Sequence, residues 1–217
     1  MRTDVIRADR KDARPVAVEL LRAGGLVAFP TDTVYGLAAW PWNAEAVARL
    51  YEAKQRPSDR PIPLLLSDVG RLDRVSLGPP QLCSALMRLT QRFWPGALTL
   101  VLPKAQSVPD VVSAGSTVAV RVPDLSLARD LIGDAEGVLA VTSANLSGCR
   151  SPVTAQEVEE QLGGRIELIL DGGTSRGGVP STILDCTVSP PELLRHGAVA
   201  EAALRAAIGT IKVPDEK

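Results

Sequence analysis

Short apolar runs set the terms on which this chain can fold. LVAF at 26–29, PLLL at 63–66, ALTLVL at 97–102, TVAVRVP at 117–123, GVLAV at 137–141, IELILDGG at 166–173, STILDC at 181–186 and ELLR at 192–195 are all of strand length. Between them lie amphipathic stretches of helical period: RPVAVELLRAGG, NAEAVARLYEAK, PPQLCSALMRLTQRFW, TAQEVEEQLGG and AEAALRAAIG. Strands and helices alternate irregularly, and short turns join some of the strands. That order predicts an α/β fold: a single domain over 1–217, with a twisted mixed sheet and flanking helices, rather than a doubly wound parallel sheet.

Local chemistry supports these elements. Pro15 suits a first helical turn, and Gly24-Gly25 ends that helix. Asn43 is placed to cap the helix over 43–54, and Thr154 with Glu157 forms a capping box. In the run at 117–123, Val118, Val120 and Val122 share one strand face, while Thr117, Ala119 and Arg121 share the other. PTDTVYGLAA, at 30–39, reads as a polar loop, and the tail KVPDEK reads as frayed.

The stretch KQRPSDRPIP at 54–63 is chemically unusual. Pro57, Pro61 and Pro63 forbid a helix. Lys54 and Arg56 are two residues apart with no carboxylate between them. The segment is either a solvated loop or a holder of something anionic. The chain as a whole is not basic: 24 Lys and Arg face 25 Asp and Glu, so any anion site is local. The three cysteines are far apart and there is one histidine, His196, which argues against structural zinc, a disulfide framework or a histidine metal centre. Cys83 reads as core, Cys149 as a loop thiol and His196 as a surface residue. With no apolar leader at the N-terminus and no run long enough to span a bilayer, a cytoplasmic protein without membrane contact is expected.

Polar clusters follow the strands, where α/β sheets place ligands: PTDTVYG, TSANLSGCRS, and STILD with LLRHG. Each has an ordinary reading. PTDT fits a Thr/Asp turn, TSANLSG a turn before a helix, and Thr117 with Arg121 the solvated side of a sheet. The P-loop, dinucleotide, zinc-protease and serine-hydrolase motifs are missing. A site built here relies on Lys, Arg, Ser and Thr, which suits polyphosphates. Phosphoryl and nucleotidyl transfer need positioning and charge stabilisation more than acid–base side chains, so the shortage of His does not count against them.

Taken in order, AFPTDTVYGLAA, YEAKQRPSDRP, FWPGALTLVL, VAVRVPD, TSANLSG and STILD…LLRHG resemble the YrdC-type threonylcarbamoyl-adenylate synthases. The likeness covers 16–198. It implies a sheet around a concave, positively lined cavity. It also implies condensation of L-threonine, bicarbonate and ATP, with Mg2+, into threonylcarbamoyl-adenylate and pyrophosphate. tRNA and threonylcarbamoyl-transfer proteins would act downstream. By motif, Thr31, Arg121, Val141 and Ser181 would contact threonine. Lys54, Arg56, Ser58, Thr117, Ser143, Ser151 and Arg195 would bind ATP, with Lys54 and Arg56 also catalytic.

The chain departs from the pattern where many relatives carry a His after the Lys/Arg loop: it reads PLLLSD. Its length resembles the single-domain form. Two rivals stand beside this reading. One is the carbamoyl-adenylate module of hydrogenase maturation enzymes, which works beside acylphosphatase and zinc-finger segments. The other is a non-catalytic RNA-binding module, for which 3% aromatics offer little base stacking.

Overall fold

The computed structural model describes residues 2–77 and 83–213. In chain order its elements are β1 (Asp4–Arg7), α1 (Ala13–Arg22), β2 (Val27–Pro30), β3 (Tyr35–Ala39), α2 (Ala44–Lys54), β4 (Leu64–Leu66), a 3-10 turn (Val69–Arg74), α3 (Cys83–Phe93), β5 (Leu98–Pro103), β6 (Thr117–Arg121), α4 (Ser126–Asp134), β7 (Val138–Ser143), α5 (Ala155–Leu162), β8 (Leu168–Asp171), β9 (Thr182–Asp185), β10 (Glu192–Arg195) and α6 (Glu201–Ile208). All the strands join one sheet in the order β1-β8-β2-β3-β7-β4-β6-β5-β9-β10. It is mixed, as expected. β1 and β2 flank β8 in parallel, β4 runs parallel to β6 and β5 to β9, and the remaining neighbours are antiparallel.

Several expectations change. PTDTVYGLAA is not all loop: Tyr35–Ala39 is β3, paired with β2 and β7. Tyr35, Leu37 and Ala39 enter one core and Ala38 the other. A strand buried on both faces shows no polar alternation, which hides it from a period-two reading. β1, an exposed edge strand rich in charge, and α4, with Ala128, Leu131 and Ile132 buried on one stripe, were not anticipated. The third helix was expected from Pro79; 78–82 and the Cys83 side chain lie outside the described residues. So do 214–217 of the tail, but Lys212 is tied to the sheet by backbone bonds to Pro191 and Leu193. The caps hold: the Asn43 side chain accepts from the Ala46 amide at 3.1 Å, and Thr154 from the Glu157 amide at 3.2 Å. Glu157 accepts from the Val153 amide at 2.6 Å, one residue before the expected partner. Among the described residues, no helix is long and apolar enough to cross a membrane.

The two faces of the sheet are covered unequally. One face is apolar from β8 to β10: Ala28, Leu37, Leu64, Leu100, Val120 and Leu184 form a core with Leu50 of α2, Leu89 of α3, Val158 of α5 and Leu204 of α6. On the other, Val27, Phe29, Leu139, Leu168 and Leu170 pack beneath α1 and α4. That second cluster reaches Leu65 of β4 and includes no residue of β5, β6, β9 or β10. There the strands carry Thr99, Val101, Thr117, Ala119, Arg121, Ile183 and Asp185 toward an open cavity.

Close backbone contact fixes one wall of this cavity. A Cβ on Gly197 would lie 2.4 Å from the Thr182 nitrogen and 2.5 Å from the Pro180 oxygen. Only a glycine lets the turn after β10 lie against the start of β9. Gly197→Ala is therefore expected to destabilise the fold by about 1–3 kcal/mol. The check is a lower urea midpoint at unchanged m; an unchanged midpoint would show that the turn can move aside.

Candidate functional site

The cavity has a volume of about 450 Å3. Its wall includes Thr31, Arg56, Thr117, Arg121, Val141, Ser143, Ser151, Ser181 and Arg195, which the sequence motifs had singled out from separate segments. Lys54 and Ser58 are not in that wall. Ser58 is exposed and borders a neighbouring groove that it shares with Arg56.

Arg121, at the end of β6, is 5% exposed. Its Nε donates to the Gly96 carbonyl at 2.8 Å, Nη1 to Thr33 Oγ1 at 2.9 Å and Nη2 to Asp32 Oδ1 at 2.6 Å. Burial pushes its pKa down from the ordinary arginine value, and the Asp32 carboxylate opposes that. A guanidinium has five N–H groups, so two remain for a ligand. Asp32 and Thr33 come from the turn between β2 and β3. In the same turn Thr31 Oγ1 donates to the Val34 carbonyl at 2.7 Å. It also lies 3.2 Å from the Thr33 amide and 3.0 Å from Thr33 Oγ1. With its proton given to Val34, Thr31 accepts from both Thr33 groups, and the hydroxyl has nothing left to offer.

The opposite wall is built on β9 and β10. Arg195 donates from Nε and Nη2 to the Ser181 carbonyl at 3.0 and 2.8 Å, and Nη2 lies 3.1 Å from Ser181 Oγ. Ser181 Oγ is in turn 2.7 Å from Thr99 Oγ1. Arg56 caps its own loop, donating to the Arg60 and Pro61 carbonyls at 3.2 and 3.0 Å. Burial lowers the pKa of Arg195, and Arg121 and Arg56 push it the same way. The guanidiniums of Arg56, Arg121 and Arg195 thus share one cavity, with Asp185 in its wall and Asp32 paired to Arg121. Converging cations that repel one another are stabilised by a bound anion.

Lys54 ends α2 and is fully buried behind this wall. Its Nζ donates to the Ser143 and Asn145 carbonyls, and its own carbonyl accepts from the Ser147 amide at 2.9 Å. It fastens the TSAN loop to α2. The Asn145 side-chain nitrogen closes that loop on the Leu146 and Cys149 carbonyls at 2.7 and 2.8 Å. Burial first, and Arg56 second, lower the Lys54 pKa to about 7; Cys149 acts the other way. Cys149 and His196 are exposed, as expected.

Residues not singled out from the sequence also shape the site: Asp32 and Thr33 inside the PTDT motif, Thr99 on the polar face of β5, and Asp185 on β9. The signal for the last two was available. Thr99 alternates with buried Leu98 and Leu100, and Asp185 is in phase with Ser181 and Ile183.

A sequence profile of the Sua5/YciO/YrdC family, described as "Telomere recombination", matches residues 19–197. Threonylcarbamoyl-AMP synthase of Bacillus subtilis is 46% identical over 199 residues, which cover 91% of this chain and 57% of that protein. The enzyme of the same name from Pyrococcus abyssi is 44% identical, covering 91% and 58%. The crystal structure of P. abyssi Sua5 complexed with L-threonine superposes with a TM-score of 0.91 at 41% identity, covering 99% of this chain and 63% of that one. The chain thus spans less than two thirds of the length of these relatives.

The buried lysine yields a pH test. Below about pH 7 Lys54 is charged in both folded and unfolded chains, so its burial penalty is fully present. As pH rises further, the folded chain loses this proton while the unfolded chain keeps it to its ordinary pKa of 10.5. Stability should then climb with pH, by up to about 1.4 kcal/mol per unit. Lys54→Met removes the group, so the stability difference between wild type and variant should shift in favour of wild type from pH 7 toward pH 10. Parallel pH–stability curves in chemical denaturation would contradict it.

Proposed function

The chain belongs to the Sua5/YciO/YrdC family, and on that footing we propose that it condenses L-threonine, bicarbonate and ATP into L-threonylcarbamoyl-adenylate. Bicarbonate and the threonine amine form a carbamate with loss of water. A carbamate oxygen attacks the α-phosphorus, the bond to the β-phosphate oxygen breaks, and pyrophosphate leaves. The product supplies the threonylcarbamoyl group for tRNA modification through separate transfer proteins.

The observation that carries this reading is the juxtaposition, in one cavity, of Arg121 with two uncommitted N–H groups and of Arg56 and Arg195 nearby. Arg121 takes the threonine carboxylate. Ser181 meets the threonine hydroxyl, Thr31 packs through its methyl, and Val141 contributes backbone. Arg56 and Arg195 neutralise the phosphates, and stabilise charge on pyrophosphate as it departs. Thr117, Ser143, Ser151 and Ser58 contact the nucleotide. Lys54 acts from behind, by holding Ser143 in place and adding positive potential when protonated.

Mg2+ enters with ATP as a co-substrate. It commonly binds through one or two carboxylates, waters and substrate phosphates rather than an all-protein cage. The cavity wall carries one carboxylate among the described residues, Asp185, so the ion would be held chiefly by phosphates and water.

Pyrophosphate release is expected to need both L-threonine and bicarbonate. A site that hydrogen-bonds the substrate hydroxyl should reject valine by a factor on the order of 10^4. Equal turnover with valine, or a demand for carbamoyl phosphate, would sink the assignment. Arg121→Lys cannot keep the paired geometry of a guanidinium on a carboxylate. It should weaken threonine binding by about tenfold or more. ATP binding should change far less; calorimetry showing equal losses would count against the threonine role.

A further inference from the structure

Asp185 stands apart chemically from the rest of the cavity wall. A carboxylate repels bare phosphates, so Asp185 needs a role other than direct contact with them. It is the last residue of β9 and is half-buried. Asp185 faces Val101 of β5, and Val101 faces Ala119 of β6. The next cavity-facing position on β6 is Thr117, which the reading above gives to the nucleotide. Ser181, where Arg195 is anchored, is four positions earlier, roughly 13 Å away at ~3.3 Å per residue.

Its geometry is fixed. Oδ1 accepts from the Thr187 amide at 2.7 Å and from Thr187 Oγ1 at 2.6 Å. Oδ2 accepts no hydrogen bond among the described residues. The wall beside it includes the apolar Val101, Ile183 and Leu194, of which Leu194 is 50% exposed, while on β10 Glu192 pairs with Asp185 and Arg195 with Ile183. The cavity is therefore divided. One part offers guanidiniums, and the other offers apolar surface beside one oriented acceptor. A nucleotide has the matching division: anionic phosphates at one end, and a sugar with an adjacent pair of hydroxyl donors and a flat base at the other.

Resting on the adenylation reading, we propose that Asp185 is the acceptor for the ribose hydroxyls of the bound nucleotide, and so makes the site selective for ribonucleotides. Oδ2 receives the sugar hydroxyls, and Thr187 keeps the carboxylate from rotating away. Asp185 is a specificity-determining residue that takes no part in bond making.

The experiment is calorimetric titration of the protein with Mg2+ complexes of ATP, 2′-deoxy-ATP and 3′-deoxy-ATP, for wild type and Asp185→Asn. A hydrogen bond to a charged acceptor is worth about tenfold or more in affinity. Wild type should bind ATP at least about tenfold more tightly than one or both deoxy forms. Asp185→Asn keeps an acceptor for Thr187 but loses the charge, and should close that gap to about twofold, chiefly by weakening ATP. Threonine affinity should not move. A wild type indifferent to the sugar overturns the proposal, and needs no variant to do so. A gap that persists in Asp185→Asn also overturns it; if the Mg2+ needed for half-maximal binding rises at the same time, Asp185 is a metal ligand instead. Failure of wild type to bind ATP at all would overturn the adenylation reading itself, an outcome distinct from either.

Discussion

The site exists because one face of the sheet is only half covered. Every strand must bury its apolar positions, and alternation sends the intervening ones to the opposite side. Beneath α1 and α4 those opposite positions are Val27, Phe29, Leu139 and Leu168; beyond Leu65 they are Thr99, Thr117, Arg121 and Asp185. Floor and core are thus written in the same strands, one residue out of phase. A one-residue slip in β5, β6 or β9 would exchange them entirely, so the burial of Leu98, Leu100, Val118, Val120 and Leu184 also aims the polar groups.

Among the described residues two cations are buried, and the protein treats them differently. Arg121 has Asp32 as a counter-ion, with side-chain exposures of 6% and 16%. Removing one partner of such a pair leaves an uncompensated buried charge, a loss of about 3–5 kcal/mol. Among the described residues the Lys54 ammonium has only carbonyl partners. Burial, with Arg56 second, weakens the hold on its proton, and carbonyl dipoles offset that less than a carboxylate would. The guanidiniums are permanent charges, whereas the lysine charge behind them depends on pH.

Much of this was legible in the chain. The parity of TVAVRVP placed Thr117 and Arg121 together, and the caps at Asn43 and Thr154 located α2 and α5. The motifs named most of the cavity wall. What escaped was tertiary. β3 carries no alternation because both its faces are covered. The Arg121–Asp32 pair joins positions 89 residues apart, which no local pattern reveals. Lys54 was read as aiming into the cavity because it adjoins Arg56, but a helix C-terminus and a following loop face different ways. The stem of Lys54 runs into the core, while Arg56 turns back onto its own loop carbonyls.

The full apolar backing beneath the cavity has an evolutionary consequence. On β5, β6 and β9 the residues that meet a ligand and the residues that hold the domain together are interleaved but point apart. Selection can therefore act on the two sets almost separately. Apart from Arg121, which its buried pair with Asp32 ties to the fold, floor positions are free to drift toward a new amino acid or leaving group without a packing defect, while the backing stays under a purely steric filter. A family built on this plan can diversify its chemistry with little risk to the scaffold.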